Sequence, residues 1–215
     1  EGAPGDAAAP PTANATAVTR RLQVTVVADY ELSVQVGVTG ARDRLVARFN
    51  SVDGIFSEQV GVQIELLGVP VVFQTPQQPF GSRSSGALLE EVGQYRQSLA
   101  QRGGLTHLVT GRDLEGTTVG IAYIGALCST RFGVSLSENS GSFAELVAAH
   151  EIGHNFGAPH DGEDACGTTT ENTFLMAPRV TGSRTFSECS LAEMRGHLAG
   201  AQCLARDLLE RHADV

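Results

Sequence analysis

Three histidines and one glutamate stand at a spacing that suits a metal ion. His150 and His154 are four residues apart, so on an α-helix they lie about 40° apart, one turn above the other on the same face. Two imidazoles placed in this way can bind one tetrahedral zinc ion. Glu151 follows His150 directly, where its carboxylate can reach a water molecule bound by the metal.

A third ligand is available further along the chain. Gly157 permits the positive φ angle that ends a helix, and the reversed chain can bring His160 back towards the first two histidines. Three protein ligands leave one coordination position for water, which is typical of a catalytic zinc site. The alternative is that these are ordinary histidines of a surface or core helix, but five fixed positions rarely match by chance.

The elements that must position these residues follow a mixed α/β pattern. Strands are predicted where residues alternate or are β-branched, and helices where apolar residues recur at spacings of three and four. Ser142 and Glu145 fit a capping box at the start of the helix that carries the histidines. The predicted order is strand Leu22–Ala28, helix 41–59, a β-branched run Val62–Phe73 broken by Gly68 and Pro70, helix 85–101, strands Thr106–Thr110 and Val119–Tyr123, helix Ser142–Phe156, a loop Gly162–Ser187, and helices 190–199 and 202–212.

Composition places most of the chain in one domain. Residues 1–19 are rich in Ala and Pro and lack apolar periodicity, so we interpret them as a flexible tail or linker ahead of a domain at 20–215. The net charge of −9, from 24 acidic and 15 basic residues, argues against nucleic acid or an anionic membrane as a partner. No apolar run approaches the roughly 18 residues of a transmembrane helix.

The cysteine count favours an exported protein. There are four cysteines, and none belongs to a CxxC pair that would indicate a redox motif or a structural zinc site. Two disulfides in an exported protein are therefore favoured over four buried thiols. Four cysteines permit three pairings.

The motif and its surroundings resemble a known family. The pattern HExxHxxGxxH followed by a methionine-containing turn, here Phe174–Pro178, is the signature of the metzincin zinc proteases. Asp161 directly after the third histidine resembles the adamalysin or reprolysin branch, which holds snake-venom metalloproteases and the catalytic domains of disintegrin metalloproteases. The likeness extends over about residues 20 to 205, through LQVTVVADY, VTGRDLEGTTVGIAYIGALC and FSECS. We expect a bacterial member of this branch.

The resemblance implies a fold and a division of the domain. The expected fold is metzincin-like and of the α/β (α+β) class, with a twisted, mixed and mainly parallel sheet of about five strands and long helices. The catalytic domain at 20–215 would divide into an upper subdomain at about 20–157 and a smaller lower subdomain at about 158–215. The zinc cleft would lie between them.

The resemblance also assigns roles to single residues. His150, His154 and His160 would bind one catalytic zinc ion, and Glu151 would act as general base and acid. Met176 would form an apolar floor below the metal, Gly157 would end the helix, and Asp161 would hold the active-site helix against the methionine turn. Arg179–Thr185 would wall the main specificity pocket. An extended peptide would pair with an edge strand formed by Gly120, Ile121, Ala122, Tyr123, Ile124 and Gly125.

Two further expectations come from the same resemblance. It implies disulfides between Cys128 and Cys203 and between Cys166 and Cys189. Many venom enzymes hold a structural calcium ion with carboxylates, but the matching positions here are Gln23 and Gly104, and Arg206 stands where the family often has Asn. Because calcium sites depend on carboxylate oxygens, we expect no calcium there.

These features together indicate a secreted zinc endopeptidase that acts on proteins or peptides as a monomer. It would be secreted or extracellular, with the periplasm or the cell surface as alternatives. Two other functions stay open: a catalytically silent zinc-binding interaction module, and a zinc hydrolase acting on a non-peptide amide. The histidines without ligand spacing, His107, His197 and His212, are interpreted as surface or hydrogen-bonded residues, and Glu163–Asp164 as a solvated acidic loop.

Overall fold

A mostly parallel β-sheet organises the protein. The computed structural model describes residues 18–139 and 141–206. The sheet has the central order β2-β1-β4-β6-β5, and β3 and β7 add to β1 beside this path. The strands are β1 Arg20–Ala28, β2 Val62–Leu66, β3 Val71–Val72, β4 Leu105–Thr110, β5 Gly120–Ala122, β6 Val134–Glu138 and β7 Ala205–Arg206.

The strand directions confirm the predicted fold class. β1 runs parallel to β2, β3 and β4, and β4 runs parallel to β6. Only β5 and β7 run antiparallel to their neighbours among the described strands. The helices are α1 Tyr30–Gln59, α2 Ser85–Ser98, α3 Ala144–Asn155 and α4 Glu188–Leu198, with a 3₁₀ turn at Asp164–Cys166. None of the described helices is both long and apolar enough to cross a bilayer.

Two apolar clusters cover the two faces of the sheet. Because side chains alternate along a strand, Val24 and Val26 of β1 face one side and Val27 faces the other. The larger cluster packs α1 and α3 against the sheet. The smaller cluster packs α2 against β4 and β6. Helix α3, which carries the histidine motif, is therefore held between the sheet and α1.

The first helix begins earlier than predicted. Its start is capped by Asp29, whose carboxylate accepts a hydrogen bond of 2.9 Å from the backbone N–H of Leu32. Gly37, with φ 74° and ψ 162°, kinks the helix before the segment that the periodicity had indicated. The prediction of a helix over 41–59 was thus wrong at its start, since a helix interrupted by a glycine in a left-handed conformation shows no continuous apolar stripe.

Two further predictions were wrong in detail, and one strand was missed. Helix α3 begins at Ala144, and Phe143 at its N-cap makes no side-chain capping bond, so the Ser142–Glu145 capping box does not form. Strand β6 was not predicted at all. The segment predicted to begin a last helix at 202 instead makes a turn and the short strand β7, which pairs with Arg20 and Arg21. The rest of that predicted helix, with His212, lies outside the described residues.

The two disulfides join the pairs that the resemblance implied. Cys128 is bonded to Cys203, with Cα atoms 5.4 Å apart, and Cys166 is bonded to Cys189, with Cα atoms 5.7 Å apart. The first ties the segment after β5 to the segment ahead of β7. The second ties the 3₁₀ turn to the first turn of α4. Both bridges therefore brace segments that flank the histidine motif.

His107 of β4 is a hydrogen-bonded residue, the second of the two alternatives left by the sequence, and it is buried rather than at the surface. Its side chain is fully buried, and its ring nitrogens bond to the hydroxyls of Ser135 at 2.8 Å and Ser137 at 3.0 Å. The ring of Phe49 packs edge-on against it, 5.5 Å between centroids. Burial, aided by the nearby Arg48 guanidinium, lowers the pKa of His107 to about 3. The folded state therefore holds this imidazole neutral.

We expect this residue to make folding stability depend on pH. Between its ordinary value of 6.5 and about 3, the unfolded chain binds a proton at His107 and the folded chain does not. The free energy of unfolding should then fall as pH drops below 6.5, by about 1.4 kcal/mol per pH unit from this group. Urea unfolding at several pH values between 4 and 7 measures the slope. The slope should be shallower in a His107→Gln variant, and equal slopes in both proteins would contradict the assignment.

Candidate metal centre and cleft

Helix α3 and the turn after it bring the three histidines together. His150 and His154 lie one helical turn apart, and a ligand nitrogen of each lies within 4.8 Å of those of the other histidines in the triad. The helix ends at Phe156, and Gly157 adopts φ 109°, which reverses the chain so that His160 returns. The Nε2 atoms of His154 and His160 are 3.2 Å apart. The turn that was expected from Gly157 is therefore what completes the triad.

Hydrogen bonds determine which nitrogens of the triad face one another. The Nδ1 atoms of His150 and His154 donate to the carbonyl oxygens of Leu175, at 2.8 Å, and Ala158, at 2.7 Å. A carbonyl can only accept, so both Nδ1 atoms carry the proton and both Nε2 atoms offer a lone pair. Burial lowers the pKa of His150 to about 3 and that of His154 to about 4, which keeps both rings neutral.

This donor set fits a zinc ion. Nδ1 of His160 lies 3.1 Å from Oε2 of Glu163, so its Nε2 is the atom that faces Nε2 of His154, 3.2 Å away. Three imidazoles that converge in this way, each with its Nδ1 bonded to an oxygen acceptor, are an arrangement that suits a zinc ion.

The contact between Glu163 and His160 was missed in the sequence. Glu163 is exposed, as a solvated loop predicts, but its Oε2 lies 3.1 Å from Nδ1 of His160. The spacing of three residues within a turn is the only signal that could have indicated it. His160 is thus the one triad member whose acceptor is a carboxylate instead of a backbone carbonyl.

Met176 and Asp161 lie against the helix and the turn that carry the triad. Met176 is fully buried, and a Cβ atom built on Gly153 of α3 would lie 2.6 Å from its Sδ. The sulfur therefore packs directly against the helix between the two histidines. The backbone N–H of Asp161 donates to the carbonyl of Met176 at 2.9 Å. The Asp161 carboxylate accepts from the hydroxyls of Ser187, at 2.6 Å, and Ser190, at 3.2 Å, which joins the methionine turn to the start of α4.

Glu151 lines the cleft beside the triad. Its side chain is only 6% exposed, and burial raises the pKa of its carboxyl group to about 8. Within residues 18–139 and 141–206, no group hydrogen-bonds to this carboxylate. The carboxylate is therefore available to a ligand in the cleft.

Strand β5 begins at the cleft, where its first residue, Gly120, lines the wall. It is the last strand of the central path, paired only with β6 among the described strands, so its other edge is free. Gly120, Ile121 and Ala122 lie in the strand, and Tyr123, Ile124 and Gly125 follow it. The prediction of an edge strand over Gly120–Gly125 was therefore wrong beyond Ala122, because the chain leaves the sheet there and turns at Ile124 and Gly125.

The end of α3 is tied to the segment that follows β5. The N–H of Gly125 donates to the carbonyl of His154 at 2.8 Å. The Asn155 amide, fully buried, donates to the carbonyls of Tyr123 and Val134, both at 2.9 Å. Asn155 was not singled out in the sequence, because its partners come from two distant segments. These bonds fix the position of α3 relative to the segment that follows β5.

A cavity of about 700 Å³ opens beside Glu151 and the triad. One wall is the segment Arg179–Ser183, within the range expected to wall a specificity pocket, and the other is Thr117–Gly120. Leu146 and Val147 of α3 lie along it. Gln59 at the end of α1 anchors the first wall, since its amide donates to the carbonyl of Arg184 and accepts from the N–H of Phe186, both at 2.9 Å.

Comparison with known proteins agrees with this geometry. Residues 18–187 match Reprolysin_5, described as metallo-peptidase family M12. Disintegrin and metalloproteinase domain-containing protein 19 of Mus musculus is 33% identical over 160 residues, which cover 70% of this chain and 17% of that protein. Zinc metalloproteinase-disintegrin-like atrase-B of Naja atra is 33% identical over 121 residues, or 54% of this chain and 20% of that protein.

One solved structure supports the fold alone. A chain in the structure of a chaperone–substrate complex aligns with a TM-score of 0.54 at 16% identity, covering 68% of this chain and 25% of that chain. The chain itself spans about a fifth of the length of the curated relatives that it matches.

The residues matched by this family model include the histidine triad and Glu151. The chain belongs to metallo-peptidase family M12, of the reprolysin type.

Proposed function

We propose that this chain is a secreted, zinc-dependent endopeptidase that hydrolyses internal peptide bonds with Glu151 as the general base. The observation that carries the proposal is the buried, unbonded Glu151 carboxylate beside three converging histidines, under a free strand edge. His150, His154 and His160 would hold the zinc ion. The ion would polarise the scissile carbonyl and lower the pKa of water.

Glu151 performs the proton transfers in this proposal. It takes a proton from the attacking water and passes it to the nitrogen of the leaving amine. Met176 and Asp161 keep the helix and the turn in place below this residue. The hydrogen bonds from the two helical histidines to backbone carbonyls hold their rings in the orientation that the ion requires.

The free edge of β5 favours an extended peptide as substrate. A peptide added to a strand edge forms main-chain hydrogen bonds that tolerate many sequences, and pockets for its side chains supply selectivity. The residues at and beyond this edge, from Gly120 to Gly125, would pair with the peptide backbone. The cavity walled by Arg179–Ser183 would take a side chain next to the cleaved bond. The cleft would divide the domain into the upper and lower subdomains expected from the sequence.

The disulfides support the proposed location. Structural disulfides persist in oxidising compartments outside the cytosol, and both cysteine pairs are bonded here. We therefore propose a secreted or extracellular enzyme that acts as a monomer, without a nucleic-acid or membrane partner.

We also propose that the chain binds one catalytic zinc ion and holds no calcium at the structural site of its relatives. At the positions where relatives would hold calcium, the N–H of Gly104 donates to the carbonyl of Gln23 at 2.8 Å, and a Cβ on Gly104 would lie 2.7 Å from Cys203 Sγ. Arg206 pairs with Arg20 across β7 and β1. This region offers packed backbone and guanidinium groups, which suit calcium poorly.

An assay on two substrates tests the proposal against its alternatives. The protein is incubated with casein, an unstructured protein, and with a small anilide, each with and without a zinc chelator. We expect internal cuts in casein that the chelator abolishes, and no hydrolysis of the anilide. Hydrolysis of the anilide alone would favour a non-peptide amidase, and zinc binding without cleavage of either would favour the silent interaction module.

Glu163 should strengthen zinc binding through His160. A carboxylate that accepts from a metal-binding histidine raises its basicity, and loss of such a partner weakens metal affinity about 10- to 100-fold. Because Glu163 is exposed, we expect Glu163→Gln to weaken zinc affinity about 10-fold, the lower end of this range. A chelator competition titration measures the change. Asp164→Asn, one residue away, serves as the control and should leave affinity unchanged. Equal affinities of wild type and Glu163→Gln would contradict this role.

A further inference from the structure

Gly120, the first residue of β5, lies directly against the Glu151 carboxyl group. A Cβ atom built on Gly120 would lie 2.5 Å from Oε1 of Glu151, 2.8 Å from its Cγ and 2.9 Å from its Cδ. Separations below 3.0 Å essentially never occur for real Cβ atoms. Any side chain at position 120 would therefore have to displace either Glu151 or the strand.

The backbone conformation does not explain this glycine. Gly120 lies in a strand, outside the left-handed φ region that favours glycine. Glycine weakens a strand interior, and where it occurs it often marks the close approach of another group. Here the approaching group is the Glu151 carboxylate.

The strand cannot easily move away from the helix. Gly120 pairs with Ser137 of β6 in an antiparallel register, and the N–H of Glu138 donates to the carbonyl of Val119 at 2.8 Å. These bonds to β6, at Gly120 and at the residue before it, therefore keep the Gly120 backbone in place.

The helix is equally constrained on its side. The bond from Gly125 to the carbonyl of His154 and the bonds of the Asn155 amide fix the end of α3 to the segment after β5. Glu151 lies one turn back from these residues on the same helix. The distance between the Gly120 and Glu151 backbones is thus fixed by the pairing of β5 with β6 and by the bonds at the end of α3.

We propose that Gly120 is a positioning residue for Glu151, acting through its missing Cβ. The space at Gly120 lets the carboxylate lie against the inner side of the edge strand, between the histidine triad and the edge along which the peptide would lie. Since no described group hydrogen-bonds to the carboxylate, packing against Gly120 limits its orientation on this side. The inference rests on the proposed function, because it assigns the carboxylate a role in proton transfer.

Gly120→Ala should impair turnover more than binding. A displacement of about 1 Å at a reacting group can lower a rate about 100-fold, so we expect kcat to fall by about that factor while KM changes less than about threefold. The three histidines are untouched, so zinc content should equal that of the wild type. Gly86→Ala is the control, because a Cβ there has no neighbour within 4 Å and Gly86 lies in α2.

A double-mutant cycle separates positioning from a general structural defect. Aspartate at position 151 is one methylene shorter and retracts from the added Cβ. In the Glu151→Asp background, Gly120→Ala should lower kcat less than about fivefold. A loss of about 100-fold in both backgrounds, or no loss in the wild-type background, would overturn the proposal.

A second cycle tests the contact without any activity. The Tm of Gly120→Ala is measured in the wild-type background and in the Glu151→Ala background. We expect a lowered Tm, or failure to fold, in the first and recovery to the Tm of Glu151→Ala alone in the second. An equal loss in both backgrounds would overturn the contact. If the wild type cleaves no peptide while this recovery is seen, the proposed function fails and the Gly120–Glu151 contact stands.

Discussion

Replacing Glu151 with alanine is expected to lower peptide cleavage by about 10²- to 10⁴-fold and to leave zinc bound. The carboxylate lies beside the triad without belonging to it, so its loss removes the proton acceptor and no ligand. Its side chain is buried, and truncation leaves a small space in the cleft wall. We therefore expect the fold and the cavity to persist.

The variant is assessed by casein cleavage and by metal analysis of the same preparation. Glu151→Gln, which keeps the shape of the side chain but cannot take a proton, should be as inactive as Glu151→Ala. If either variant cleaved casein as fast as the wild type, the proposed mechanism would be wrong.

Replacing His154 with alanine should remove activity by a different route, because the zinc ion itself is lost. The His154 ring bonds to the Ala158 carbonyl at one nitrogen and faces His160 with the other. Its removal takes away one of three ligands and one bond that holds the turn. Loss of a supporting partner alone weakens metal affinity about 10- to 100-fold. The loss of a ligand should therefore weaken zinc affinity more than about 100-fold.

A chelator competition titration compares His154→Ala with the wild type and with Glu163→Gln. The expected order of zinc affinity is wild type, then Glu163→Gln, then His154→Ala, with activity lost in the last. Asp164→Asn is again the control, since this exposed residue is not among the triad. Wild-type affinity in His154→Ala would exclude this residue as a ligand.

The metal centre could be predicted from the sequence because its geometry is local. Two histidines four residues apart on a helix, with a glycine ahead of a third, determine the convergence with little help from the rest of the fold. The β-branched and alternating runs likewise predicted β1, β2 and β4. Strand β6 was missed although its residues 134–137 alternate between apolar and polar types, which is the ordinary signal of a short strand.

The contacts that support the centre could not be predicted, because they join distant parts of the chain. Asn155 bonds to residues 32 and 21 positions away, and Gly120 touches Glu151 across the gap between a strand and a helix. In the sequence, Gly120 appears as a member of the expected peptide-binding strand, with no sign of a contact to Glu151. A close approach of this kind can be identified only when the position of β5 relative to α3 is known.

The most direct test of the central claim is digestion of a peptide library, read by mass spectrometry, with and without a zinc chelator. We expect cuts at internal peptide bonds, which are lost with the chelator and recovered when zinc is returned. The Glu151→Ala variant should make no such cuts. Cleavage that persists in the chelator, or that is equal in Glu151→Ala, would contradict a zinc endopeptidase with Glu151 as its base.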